Sequence, residues 1–128
     1  MKPMVLHTKL VDDGLRLATE ATMNDAPEWH TFPVPSETFL EVIEHAVAQR
    51  GGWQTVTDWV TSTSGNSFTS LRGILTLVNT LAPLHGLTVW QKTDDDGAPE
   101  RATLPMEPRY HMEPNISKPS TGGGALKK

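Results

Sequence analysis

All four tryptophans of the chain, Trp29, Trp53, Trp59 and Trp90, lie between residues 29 and 90. Aromatic side chains carry the largest apolar surface, so a core has to assemble around that stretch. A chain of 128 residues has the length of one domain. Only 37% of its residues are hydrophobic, below the globular norm, so part of it should lie outside the core. No apolar period continues past Pro105, and the end, Ser120 to Lys128, has linker composition. The sequence therefore predicts one α+β domain over residues 1–104 and a flexible, disordered tail over 105–128.

Within the domain, Val5 to Leu10 and Leu15 to Thr19 alternate around Asp12-Asp13-Gly14, a hairpin pattern in which glycine supplies the turn. Pro27, Pro33 and Pro35 break the next stretch, with Trp29 and Phe32 as its anchors to the core. A helix is signalled from Ser36 to Arg50: Ser36 as cap, Phe39, Ile43, Ala46 and Val47 on one face, and Gly51 as terminator. Trp53, Val56, Trp59 and Val60 share a helical face and predict a second helix to Thr61. After the polar run Thr61–Asn66, Ser67 caps a third to about Leu81, with Phe68, Leu71, Leu75 and Val78 buried. Gly73 inside that helix costs roughly 1 kcal/mol against alanine, which implies a close neighbour. Leu87 to Leu104 reads as a second hairpin, turning at Asp94–Gly97, with Pro99 on an edge strand. The predicted core also takes in Val89.

The order helix, helix, polar turn, helix, hairpin over residues 36–104 resembles a winged helix-turn-helix. The resemblance implies a three-helix core flanked by two hairpins, with the third helix reading DNA and the 88–103 hairpin as wing. Its nucleic-acid contacts would be Asn66, Ser67, Thr69, Ser70, Arg72 and Lys92, whose hydroxyl, amide and cationic groups suit bases and phosphates. The function implied is a non-catalytic regulatory protein with DNA as partner.

A second reading makes the chain a protein-binding accessory factor: an inhibitor, an adaptor or a small subunit of a phage- or plasmid-type assembly. It rests on charge. The net charge is −4, and between residues 36 and 92 Arg50, Arg72 and Lys92 face Glu37, Glu41, Glu44 and Asp58, too few cations to neutralise phosphates. Asp94, Asp95 and Asp96 at the wing tip would repel them. On this reading Met106, Arg109, Tyr110 and Met112 of the tail dock on the partner in extended form.

Other classes find little support. There is no cysteine, which removes disulfides and zinc–thiolate sites. The five histidines form no H-E-x-x-H pair, no G-x-S-x-G elbow or phosphate loop occurs, and neither a metal nor another cofactor is expected. His45 and Glu41, one turn apart, suit an exposed ion pair better than acid–base work. No run of roughly 18 apolar residues is present, and Met1–His7 lacks an apolar leader, so no membrane partner and a cytoplasmic location are expected.

Overall fold

The computed structural model describes residues 3–12, 14–24, 26–62, 68–92 and 98–107. Strand β1 (Met4–Val11) and β2 (Gly14–Glu20) form the hairpin that the alternation predicts, with Val11 opposite Gly14. Gly14 is needed for space rather than for a left-handed turn: a Cβ there would collide with the Phe32 carbonyl. That carbonyl belongs to β3 (His30–Phe32), a three-residue strand on the outer edge of β2. The sequence marks this segment only as a connector, because prolines 33 and 35 close it after three residues.

Helix α1 (Phe39–Gln49) follows a single 3-10 turn over Ser36–Thr38. Phe39, Ile43 and Val47 are buried along its inner face, as their spacing requires. Ser36 makes no capping bond. The helix ends on Gly51 at φ 111°, with Gly52 N–H donating to the Val47 carbonyl at 3.0 Å. This is the Schellman arrangement, and φ > 0 there is why glycine stands at the terminus.

Residues 53–61 are not a helix. After a 3-10 turn at Trp53–Thr55 they form β4 (Val56–Ser62), and that removes the three-helix core and with it the helix-turn-helix. The composition favours a strand, with valine, threonine and tryptophan filling most positions. The helical spacing has a local cause. The ladder with β1 shifts register between Met4 and Val5, so Met4 faces Val56 while Val5 faces Asp58. One extra residue on β4 stretches the interval between the inward-facing Val56 and Trp59 from two to three, which mimics a helical step.

Helix α2 (Phe68–His85) is longer than its sequence signal and runs through Pro83 into its last turn. Gly86 at φ 70° ends it, and the Leu87 N–H donates to the Ala82 carbonyl at 2.8 Å. Strand β5 (Thr88–Lys92) and the two-residue β6 (Glu100–Arg101) pair antiparallel, so the second hairpin exists as a short pairing, while its predicted Asp94–Gly97 turn lies outside the described residues.

The six strands form one mixed sheet in the order β3-β2-β1-β4-β5-β6, in which β1, β4 and β5 are parallel neighbours. Both helices belong to one core with Leu6, Leu10, Leu15, Leu17, Trp59 and Val89, residues that the register places on one face. Buried polar groups on that face pair with each other: Trp59 Nε1 donates to Thr8 Oγ1 at 2.9 Å, and Thr8 Oγ1 lies 3.1 Å from Thr61 Oγ1. Of the predicted core, Trp29 and Trp53 are only half-buried.

Candidate functional site

Among the described residues, those proposed for DNA readout do not form one surface. Thr69, Ser70 and Arg72 stand on the first turns of α2, on the helical side of the sheet. Lys92 ends β5 opposite Ser62, and the register places both on the other face. The sheet separates Arg72 from Lys92. Asn66 and Ser67 lie outside the described residues, as do Arg109, Tyr110 and Met112 of the predicted partner-binding tail. Met106, the remaining member of that set, is buried in the helical core, and its backbone is held on both sides by Asn79: Nδ2 donates to the Met106 carbonyl at 2.9 Å, and the Met106 N–H donates to Oδ1 at 2.7 Å.

Two concave regions lie among the described residues. The first is a shallow groove between α1 and α2, lined by Ser36, Glu37, Leu40, Arg72, Gly73 and Leu77. Gly73 keeps it narrow at its base, because a Cβ there would sit 3.1 Å from the Ser36 Cβ. The close neighbour implied by a glycine inside the helix is thus Ser36. Leu40 is 36% exposed on the rim, and Leu84, one helix end away, is 70% exposed.

The second is a cleft of about 320 Å³ on the face of the sheet opposite α1 and α2, walled by His7, Lys9, Met23, Trp29, Ser62 and Lys92 among others. The segment between β2 and β3 forms one wall. Trp29 meets the buried ring of His7 edge-on, with centroids 6.2 Å apart and planes at 83°. The Glu28 N–H donates to Glu20 Oε1 at 2.7 Å and ties this segment back to β2.

Two further histidines, His45 and His85, make contacts within the fold. His45 Nε2 lies 3.2 Å from Gln49 Nε2, in the next turn of α1. His85 stacks on Trp53 at 4.6 Å with planes 3° apart, covering the end of α2. Among the described residues, no group of three or more His, Asp or Glu stands within reach of a common metal ion, and no helix is long and apolar enough to cross a membrane.

A mixed sheet with a parallel centre and two helices on one face defines an α+β fold of a different class from the winged helix. No protein-family model and no curated protein sequence matches the chain. Solved structures do. YeaZ from Pseudomonas aeruginosa superposes with a TM-score of 0.58 at 16% identity, covering 72% of this chain and 44% of that one. An uncharacterized protein from the same organism, with similarity to peptidase YeaZ, gives the same values. At this identity the likeness establishes the fold, and the chain spans less than half the length of the structures it matches. The expectation of a winged-helix DNA-binding regulator is overturned, since residues 56–62 form a strand and the three-helix motif it requires is replaced by a six-stranded sheet with two helices.

Proposed function

We propose that the chain is a non-catalytic, protein-binding adaptor whose partner seats on the α1–α2 groove. The observation that carries this reading is the pair of leucines lining that groove, exposed Leu40 and half-buried Leu77. Apolar side chains at the centre and charged ones at the border are what a helix-binding or helix-packing surface presents, and here Glu37 and Arg72 supply the charges. The acidic balance of the chain agrees with a protein partner over a nucleic acid.

The test is in-cell crosslinking followed by affinity capture of the full chain, beside a Leu40→Glu/Leu77→Glu variant. The expected result is a stoichiometric protein partner recovered with the wild type and lost with the variant, at unchanged far-UV circular dichroism. Recovery of the same partner by the well-folded variant would overturn the groove as the docking surface.

A further inference from the structure

Past β6 the chain returns to the helical face and passes directly beside the α1–α2 groove. Met106 is buried in the core there, and both amide atoms of the Asn79 side chain hold its backbone. Arg72 and Thr76, which line the groove, and Asn79 recur at i, i+4 and i+7, so the three stand on one stripe of α2. Asn79 lies less than one turn beyond Thr76, a rise of roughly 4.5 Å. Residues 108–128 continue from this point. An extended chain gains about 3.3–3.6 Å per residue, so six residues past Glu107 reach roughly 20 Å. That exceeds the length of α1, roughly 16 Å for its eleven residues.

The chemistry agrees with the position. Leu40 and Leu77 give the groove its apolar floor and rim, and Glu37 stands at its border. Glu41 and Glu44 continue that border along the exposed side of α1. Among the described residues, none of these three carboxylates has a hydrogen-bond or ion-pair partner. The segment that follows Glu107 reads Pro108-Arg109-Tyr110-His111-Met112-Glu113-Pro114, with Lys118, Lys127 and Lys128 further on. Apart from Glu113, every formal charge in it is positive. Tyr110 and Met112, two positions apart, share one side of an extended backbone. Pro108 and Pro114 bracket them and favour that extended form.

From this match we infer that the groove is occupied by the chain's own segment 108–114, with Tyr110 and Met112 against Leu40 and Leu77, and with Arg109 and Lys118 facing Glu37 and Glu41. The inference deepens the adaptor reading and rests on the same groove: the segment is an internal competitor that a partner has to displace. Weak contacts suffice for this, because a short tether holds a segment at an effective concentration of roughly millimolar.

The chain has no cysteine, so Asn115→Cys gives a single attachment point for a nitroxide on the full chain, read by 15N NMR. The expected result is paramagnetic broadening of the Glu37 and Leu40 amides, across the groove from Asn79. Tyr110→Ser/Met112→Ser in the labelled chain should remove that broadening, and Glu37→Lys/Glu41→Lys should lower the docked-to-free ratio about five-fold. The two double variants alter opposite sides of the contact, so if one misfolds the other decides. The inference is overturned by no broadening, by broadening confined to α2 around Asn79, or by broadening that a folded variant keeps unchanged. It is also overturned if unlabelled 15N protein is broadened equally when mixed with labelled 14N protein, since the segment would then sit on a second copy. A negative NMR result with a partner still captured strikes this occupant and leaves the adaptor reading standing. A docked segment with no partner captured does the reverse.

Discussion

On the helical face of the sheet, Leu6, Trp59 and Val89 join Phe39, Ile43 and Val47 of α1 and Leu71, Leu75 and Val78 of α2 in one continuous core. On the opposite face Val5, His7, Ala18 and Val60 are just as buried, yet they stand apart from that core, with an irregular segment carrying Trp29 beside them. Both faces exclude water, but by different means. Helices bring whole rows of interlocking side chains against the strands, whereas the irregular segment brings a few, and it leaves a cleft beside them. The difference separates a face closed by interlocking rows of side chains from one closed by a few contacts beside a cleft.

The contrast can be broken in four places. Trp59→Ala removes the largest fully buried side chain and one of the two hydrogen bonds of Thr8 Oγ1, and should cost about 3–5 kcal/mol in chemical denaturation. Asn79→Ala cuts both bonds to Met106, with an expected loss of about 1–3 kcal/mol and faster proteolysis beyond Leu104. Trp29→Ala on the open face should cost only about 1–2 kcal/mol, because the ring is half-exposed and, among the described residues, its ring contact is with His7 alone. A cost equal to that of Trp59→Ala would make the second face a true core and erase the distinction. Leu84→Gln, at 70% exposure, should stay within about 0.5 kcal/mol of the wild type.

The parts of the fold legible in the sequence are those set by local period. Alternation from Val5 to Thr19 gives the first hairpin, and the Phe39–Val47 and Leu71–Val78 faces give both helices. What misleads is β4, where the register shift against β1 puts a three-residue interval between Val56 and Trp59. No local pattern reveals that shift, because it depends on a partner strand some fifty positions earlier. The parallel pairing of β1 with β4 is equally hidden, and so is the cleft wall of Lys9, Ser62 and Lys92, which exists only once three distant strands are in register. Lys92 is singled out by its charge, but its neighbours are not. Asn79 carries no sequence signal for its role: it sits at an ordinary position of a helix, and its amide replaces a strand partner for the backbone of Met106.

The borders of the sheet limit how this molecule meets copies of itself. One outer strand has three residues and is followed at once by Pro33 and Pro35; the other has two and is preceded by Pro99. Past the end of β6, the Ala102 N–H still donates to the Val89 carbonyl at 2.9 Å and shields the inner strand. Among the described residues, neither border offers enough consecutive backbone donors and acceptors to template a further strand. Growth into fibrils or strand-swapped dimers is thereby suppressed at both ends, and association is left to side chains, whose fit can discriminate one partner from another where a bare backbone cannot.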